Sequence, residues 1–527
     1  MLQPISLTLA ALILILVVKH IRYVRTNPLR KFNGPKSGGF LFGNIKDTLL
    51  TGYAQEWMKK YGRVFGYAGI LGETRFFIAD TKAIAHILHQ ATVYPKPDGV
   101  RYNLSQIVGP GVLVVEGEQH KRQRKVMNPA FGNAYIKELT PAFLEKSIQL
   151  RDIWAQECIS TVDGIYRTDG IEWMAKLTLD IIGSTGFNYS FNSLGSKVES
   201  DELQRALGVM MSPNAAMINI VKGNFPLLRL VPTPQEKVMD QARKTMNSIG
   251  TGLFAESKEF LRASGEKDNW RSRDMSSLLL RANTSSSIPE NQRMTDDEVL
   301  AQVPTFFVAG HETTATTMAW TFFALTQHPD IQRKLREELL SLGTEDPSLD
   351  ELNSLPYLDA VVREVLRLHS PVPFTLRVAT KDDILPLRTP VTDAEGNVHD
   401  SIPIRKGDMI DIPLLAMNTD PAIWGEDALE FKPERWEKTP AEVSALPGVW
   451  GNIMSFLGGA RACIGYRFSL AETKSIIYVL LRSFEFELAI PHDDLVSRAS
   501  IVQRPYLRSD PGAGAKLPIL IRPVVNV

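Results

Sequence analysis

Residues 456–465 constrain this chain more than any other part of its sequence. They read FLGGARACIG and place Cys463 among three glycines, directly before a helical pattern, YRFSLAETKSIIYVLL. A cysteine at the start of a helix has its thiolate stabilised by the helix dipole and by free backbone amides, and Arg461 adds a nearby cation. We therefore interpret Cys463 as a thiolate, a soft ligand that is suited to iron. The alternative is a buried, inert cysteine in a turn.

Composition excludes several classes of protein. The 527 residues contain only two cysteines, Cys158 and Cys463, so the chain is neither a disulfide scaffold nor a cysteine-rich zinc module. Lysine plus arginine total 59, as do aspartate plus glutamate, and the resulting net charge of zero argues against a nucleic-acid partner. Cys158 lies in a helical stretch and is interpreted as a small buried hydrophobe.

The amino terminus predicts a membrane anchor at residues 1–21. Residues 1–18 carry no charge, and a basic cluster follows at residues 19–31. About 18 to 20 helical residues span a hydrocarbon core of about 30 Å. No basic residue precedes the apolar run, which argues against a cleavable secretory signal, and the positive-inside rule keeps the rest of the chain in the cytoplasm. The alternative is a short buried helix.

The remainder predicts one domain that is mainly α-helical with a small β region. Residues 22–45 are rich in proline, glycine and asparagine and predict a hinge, and residues 46–527 show no repeat or break in composition. Strand signals cluster at 372–415. A helix is expected from about Cys463 to Arg482.

A long helix is expected to begin at the capping-box pattern of Thr295 and to run to about Gln327, with a kink near Pro304. It contains the run AGHETT at residues 309–314. A glycine inside a helix and neighbouring hydroxyls favour a local opening, where an acid and a hydroxyl can pass protons to bound oxygen. The zinc-binding motif HExxH is not complete, because residue 315 is alanine where the motif needs a second histidine. The alternative is an ordinary buried helix with a polar defect.

These motifs, in this order, resemble the cytochrome P450 family. The spacing FxxGxRxCxG is similar to the heme-binding loop of that family, and AGHETT is similar to its oxygen-activating motif. Glu364 and Arg367 match its ExxR helix, and PERW at residues 433–436 matches its PERF segment with tryptophan in place of phenylalanine. The segments GPKSGGFLFGN and HKRQRKVMNPAF are similar to those of microsomal members from basidiomycete fungi.

The resemblance implies a single heme domain of the cytochrome P450 fold, with heme b held by the axial thiolate of Cys463. It implies that Thr313 and Glu312 serve oxygen activation and proton relay, and that Glu364, Arg367 and Arg435 form a structural triad. The other implied heme contacts are Phe456, Gly459 and Gly465 in the loop and Arg124, Arg377, Arg461 and His120 at the propionates, with His120 in place of the usual tryptophan.

The implied activity is insertion of one oxygen atom of O2 into a lipophilic substrate. Without a GxGxxG fingerprint in the chain, electrons from NADPH would arrive through a separate NADPH–cytochrome P450 reductase, with cytochrome b5 as an optional partner. The expected location is the endoplasmic reticulum membrane. The basic residues expected to dock the reductase are Lys121, Arg122, Arg467 and Lys474.

Two alternatives remain for the activity. One is a heme-thiolate isomerase or dehydratase that needs no reductase, and the other is a non-catalytic heme carrier or sensor. By family position, residues 94–113 and 372–376 should help to line the substrate pocket. The candidate pocket residues are Phe306, Phe307, Ala309, Val372 and Phe374. Their apolar and aromatic side chains suggest a terpenoid secondary metabolite or an aromatic xenobiotic as the substrate.

Overall fold

The computed structural model describes residues 14–15, 18–48, 52–195, 221–264, 275–284, 289–499 and 501–524. Most of the predicted anchor at residues 1–21 lies outside these described residues. Within the described parts of the chain, no helix is both long and apolar enough to cross a membrane.

Helices form most of the described chain, as the sequence predicts. The α-helices are α1 (Ile45–Thr48), α2 (Tyr53–Tyr61), α3 (Thr81–His89), α4 (Asp98–Val108), α5 (Gly117–Met127), α6 (Asn133–Ser160), α7 (Gly170–Phe187), α8 (Pro234–Ser264), α9 (Met275–Thr284), α10 (Asp296–Leu300), α11 (Gln302–Gln327), α12 (Pro329–Ser341), α13 (Leu349–Asn353), α14 (Pro356–Leu368), α15 (Leu414–Asn418), α16 (Pro421–Trp424) and α17 (Tyr466–Ser483). Short 3₁₀ turns include Pro433–Glu437, Met454–Phe456 and Gly459–Arg461.

The strands form small sheets around this helical body. They are β1 (Val64–Ala68), β2 (Thr74–Ile78), β3 (Tyr166–Asp169), β4 (Thr375–Val378), β5 (Asp383–Thr392), β6 (Val398–Ile404), β7 (Met409–Ile412), β8 (Phe484–Leu488), β9 (Leu495–Ala499), β10 (Gln503–Leu507) and β11 (Pro518–Pro523). One sheet has the order β1-β2-β7-β4, another β3-β11-β8, and the remaining pairs are β5-β6 and β9-β10. Among these pairings, β2 and β7 run parallel and the others antiparallel.

Two buried helices carry the core. Helix α11 packs against α7, and α17 packs against α6. Both α11 and α17 bury residues on nearly every face, which is the pattern of a helix in the interior of a large domain. Gly310 lets α7 approach α11 closely, since a Cβ there would lie 3.0 Å from Cδ1 and Cγ1 of Ile182.

The helix expected from Thr295 to Gln327 forms as two helices, with a break near the kink expected at Pro304. The capping box of Thr295 and Glu298 is present, but it starts the short helix α10, and Ala301 separates α10 from α11. Pro304 explains the break, because its ring would clash with the carbonyl of Leu300 in a continuous helix and it lacks an N–H. In the first turn of α11 that missing N–H costs nothing. The kink therefore lies at Ala301.

The segment predicted to be a hinge is attached to the body of the protein. The chain is helical at residues 18–26, and Tyr23 donates a hydrogen bond of 2.5 Å to Asp408 Oδ1. Asn27 Nδ2 donates to the same oxygen at 2.8 Å, and Asp408 itself is fully buried. These bonds attach the segment around Tyr23 and Asn27 to Asp408, directly before β7.

The packing at Gly310 generates a prediction about stability. We expect Gly310→Val to lower the free energy of unfolding by about 1 to 3 kcal/mol, because the added side chain overpacks the contact with Ile182. Gly252→Val is the matched control, since a Cβ at this position of α8 meets nothing within 4 Å. Urea unfolding measures both variants, and equal midpoints would contradict the close-packing role of Gly310.

Candidate active site

The cysteine loop places Cys463 just before helix α17. The helix expected from about Cys463 to Arg482 is present as α17, which begins three residues later, at Tyr466, with Gly465 as its N-cap. The backbone N–H of Cys463 donates to the carbonyl of Phe456 at 2.8 Å, and this bond closes the loop. Phe456 is itself almost buried and packs edge-on against Trp450.

The glycines of the loop serve close backbone packing. Gly459 has a φ of +68°, and a Cβ there would lie 2.5 Å from the carbonyl oxygen of Leu88 at the end of α3. At Gly458, a Cβ would lie 1.7 Å from the carbonyl oxygen of Pro447. Any side chain at these positions would push the loop away from its neighbours. Gly465 differs, because a Cβ there would meet only Phe131, at an ordinary contact distance of 3.6 Å.

A cavity of about 950 Å³, its open mouth included, lies between this loop and helix α11. Cys463 lines it together with Ala309, Gly310 and Thr313. The thiol is exposed to the cavity although it lies deep within the fold. Burial raises the pKa of Cys463, and the Gly465 amide and the charge of Arg124 lower it only in part. A bound metal would act in the opposite direction, because coordination to a metal favours the thiolate form.

Cations line one edge of this cavity. Lys96, Arg124 and Arg461 contribute to its wall, together with the imidazole of His120. Arg124 donates to the carbonyl of Ala462 at 2.6 Å, next to Cys463. Burial, together with Lys96 and Arg124, lowers the pKa of His120 to about 4. At neutral pH His120 is therefore uncharged and retains one ring N–H that can donate a hydrogen bond.

Arg377 lies near this edge without lining the cavity. It is 2% exposed and donates to Thr375 Oγ1 and to the carbonyl of Leu376, each at 2.7 Å. Burial lowers its pKa to about 10, and burial also lowers the pKa of Arg461 to about 10. The pKa of buried Lys96 is lowered first by burial and then by the charges of Arg461, Arg377 and Arg101. These cations therefore repel one another in a poorly solvated site.

The donor set of the cavity fits heme. A thiol on one wall suits an iron ligand, and the apolar side chains of Val112, Leu113 and Phe456 can pack against a flat ring. Among the described residues, Glu116 is the one carboxylate that pairs with cations at this edge, and it pairs with Lys96 and Arg461. Their excess positive charge calls for further anions, which the two propionates of heme would supply.

Helix α11 presents Thr313 to the cavity and holds Glu312 elsewhere. Thr313 Oγ1 donates to the carbonyl of Ala309 at 2.7 Å, and α11 stays regular through Gly310, so the expected local opening of the helix is absent. Glu312 Oε1 forms an ion pair of 2.5 Å with Arg504 of β10, and its other oxygen lies 3.8 Å from His311 Nε2. Arg504 is thus the partner of the predicted proton-relay acid.

The predicted triad is assembled around a fully buried carboxylate. Arg367 donates through Nε and Nη2 to the two oxygens of Glu364, at 2.9 and 2.8 Å. Arg435 Nε donates to Glu364 Oε1 at 3.3 Å. Trp436, which replaces the usual phenylalanine, adds an indole N–H bond of 3.0 Å to Glu364 Oε2. The substitution therefore supplies an additional donor to the buried charge.

Hydrogen bonds connect this triad to the cysteine loop. Arg367 Nη1 donates to the carbonyl of Asn418 at 2.9 Å, and the amide N–H of Met454 donates to Asn418 Oδ1 at 2.7 Å. Ser455 Oγ accepts from Asn418 Nδ2 and donates to the carbonyl of Leu366 at 2.5 Å. Met454 and Ser455 directly precede Phe456, so helix α14 positions the start of the loop.

The structure separates the candidate pocket residues. Phe306 and Ala309 line the cavity, whereas Phe307 is fully buried and stacks on Phe187 with the ring centroids 4.3 Å apart, so Phe307 belongs to the core. Val372 and Phe374 do not line the cavity as described. Residues 94–113 contribute Lys96, Val112 and Leu113, and side chains that the sequence did not indicate are Ile182 and Met275.

The structure leaves only some of the four basic residues expected to dock the reductase accessible. Lys474 is 3% exposed and donates to Asp359 and Asn353 at 2.9 Å, so it is a structural cation that no partner can reach. Arg122 pairs with Glu298. Lys121 and Arg467 remain exposed.

Nothing in the sequence marked three residues of the site as functional candidates. Lys96 stands between two prolines, Glu116 precedes a helix as acids commonly do, and Arg504 lies in a short strand near the carboxyl terminus. Each acquires its place through a partner that is distant along the chain. Cys158, by contrast, is buried as expected, and its thiol lies 3.5 Å from the carbonyl of Ile521.

Comparisons with known proteins agree with this geometry. A family model described as Cytochrome P450 matches residues 34–506. Cytochrome P450 monooxygenase 205 of Postia placenta is 48% identical over 535 residues, which cover 99% of this chain and 98% of the relative. Cytochrome P450 monooxygenase 128 of the same fungus is 46% identical, with 95% and 94% covered. Cytochrome P450 monooxygenase claQ of Ampulloclitocybe clavipes is 36% identical, again with 95% and 94% covered.

Trp436 generates a prediction about the buried triad. We expect Trp436→Phe to lower the free energy of unfolding by about 2 kcal/mol, because it removes a hydrogen bond to a buried charge and keeps an aromatic ring. Trp450→Phe is the control, since Trp450 packs against Phe456 and Arg363 through its ring faces and edges. Chemical unfolding of both variants tests this, and losses of equal size would contradict the role of the indole N–H.

Proposed function

Because this chain belongs to the cytochrome P450 family of monooxygenases, we propose that it inserts one oxygen atom of O2 into a lipophilic organic substrate with electrons that a separate reductase delivers from NADPH. The observation that carries the proposal is the cavity shared by Cys463 and Thr313. Heme b, bound there through the Cys463 thiolate, would supply the redox chemistry that activates dioxygen.

Side chains in the cavity would perform two tasks, and Glu312 beside it would perform a third. Arg124, Arg461 and Lys96 would bind the propionates, and neutral His120 would donate a further hydrogen bond. The hydroxyl proton of Thr313 is directed at the carbonyl of Ala309, which leaves its oxygen free to accept a hydrogen bond from a group in the cavity. Glu312, which directly precedes Thr313 on α11, would deliver protons from the side of the helix where Arg504 holds it.

The apolar walls of the cavity favour a lipophilic substrate. Val112, Leu113, Ile182, Phe306 and Ala309 present carbon atoms to the space beside Thr313. Burial of apolar surface against such side chains supplies most of the binding free energy for a ligand with few polar groups. We propose a terpenoid secondary metabolite or an aromatic compound as the substrate.

We further propose that residues 1–21 anchor the protein in the endoplasmic reticulum membrane, with the heme domain facing the cytoplasm. The described part of this segment supports the proposal through exposed apolar side chains at Leu14, Ile15, Val18 and Ile21. An exposed apolar helix that continues an uncharged sequence needs an apolar environment. The reductase would then share the same membrane surface.

The two cysteines allow a direct test of the heme assignment. We expect the reduced holoprotein to bind carbon monoxide with the absorbance band of a thiolate complex. Cys463→Ala should abolish that band, whereas Cys158→Ala should keep it, because Cys158 is buried away from the cavity. The measurement is a reduced, carbon monoxide-bound difference spectrum. A wild-type protein without the band would overturn the proposed function.

The exposed cations allow a test of the proposed partner. Lys121→Gln and Arg467→Gln should each slow heme reduction by NADPH and reductase several-fold at low ionic strength, because docking charges accelerate association. Lys31→Gln is the control, since Lys31 is exposed and pairs with Glu395 in a separate part of the molecule. Stopped-flow reduction measures the rates. An absence of NADPH consumption in the wild type would instead support the isomerase or the carrier.

A further inference from the structure

Glu116 is a carboxylate that the proposed reaction leaves without a role. Its Oε2 forms an ion pair with Arg461, and its Oε1 accepts a hydrogen bond of 3.2 Å from the backbone N–H of Lys96. The same Oε1 lies 3.7 Å from Lys96 Nζ. The side chain of Glu116 is 13% exposed, so these contacts form in a mostly dry environment.

An ordinary helix-capping role does not explain this carboxylate. Glu116 is the N-cap residue of α5, yet its side chain makes no capping bond to that helix. The carboxylate is turned instead towards two cations that line the heme cavity, one on the segment before α4 and one in the cysteine loop. Glu116 therefore joins the two sides of the cation cluster.

The charges around Glu116 are out of balance. Lys96, Arg124, Arg377 and Arg461 are buried or half-buried around the same edge, and the only carboxylate that pairs with the cluster in the described part of the chain is Glu116. Burial lowers the pKa of Lys96 most, and the charges of Arg461, Arg377 and Arg101 lower it further. When heme is present, its propionates and Glu116 must divide the same cations among them.

We propose that Glu116 is a built-in anion of the propionate site, which shares Lys96 and Arg461 with the heme propionates and thereby sets both the retention of heme and the reduction potential of its iron. This inference rests on the proposed heme assignment. A negative charge near heme favours the ferric over the ferrous state, so Glu116 lowers the reduction potential. It also occupies donors that would otherwise bind the propionates.

The test uses Glu116→Gln in the full-length holoprotein. Glutamine keeps the size of the side chain and an oxygen that can accept the Lys96 N–H bond, and it removes only the charge. We expect a higher midpoint potential in spectroelectrochemical titration. We also expect heme transfer to apomyoglobin to slow by about threefold, because Lys96 and Arg461 become free to pair with the propionates.

Glu118→Gln is the matched control. It removes the same charge two residues further along the chain, in the first turn of α5, but the Glu118 side chain is 87% exposed to solvent. The potential and the heme-transfer rate should therefore stay at their wild-type values. A second variant, Glu116→Gln combined with Lys96→Gln, restores the charge balance of the cluster. Its midpoint potential should return towards that of the wild type.

The outcomes separate this inference from the proposed function. If Glu116 only positions the backbone of Lys96, Glu116→Gln will match the wild type in both measurements, and the inference fails while the carbon monoxide spectrum stays normal. Faster heme loss from Glu116→Gln, or a lower potential, would also overturn it. A wild-type protein without the thiolate band would overturn the proposed function itself.

Discussion

The site depends on one buried carboxylate. Glu364 is fully buried and accepts hydrogen bonds from Arg367, Arg435, Trp436 and the backbone N–H of Lys432. Arg367 continues the network to the carbonyl of Asn418, whose side chain holds the residues that begin the cysteine loop. Removal of one partner from a buried ion pair typically costs about 3 to 5 kcal/mol, because it leaves a charge without compensation. The position of Cys463 therefore depends on contacts made far from the cavity.

The second constraint is electrostatic. The fold collects Lys96, Arg124 and Arg461 at one edge of a cavity whose other walls are mostly apolar. Among the described residues, Glu116 is the carboxylate that pairs with Lys96 and Arg461, and Arg124 forms no ion pair. Such an arrangement is costly without a ligand, because like charges repel strongly where water is scarce. A ligand with two carboxylates and an apolar ring relieves that cost. The cavity therefore favours heme by charge as well as by the thiol of Cys463.

Sequence patterns predicted the structure well where it depends on residues that are close together along the chain. The capping box at Thr295 forms as expected, and Pro304 disturbs the helix near the expected place, but the break falls at Ala301 because the clash lies four residues earlier. Sequence patterns did not predict the environment of a side chain where that environment comes from residues far away along the chain. Phe306 and Phe307 are adjacent and chemically identical, yet only Phe306 reaches the cavity. Such outcomes depend on which helix packs against each face.

The sequence by itself determined the family, the helical body, the glycine–cysteine loop and the order of its motifs, because these are written in local spacing and residue type. Only the tertiary structure decided which charges meet. Glu116 pairs with Arg461 across 345 positions, Arg504 reaches Glu312, and the indole N–H of Trp436 contacts Glu364. Such pairs leave no periodic pattern, since their positions follow from the packing of separate helices and strands. The contacts between charged and polar groups around the site are therefore determined by the tertiary fold and not by any sequence motif.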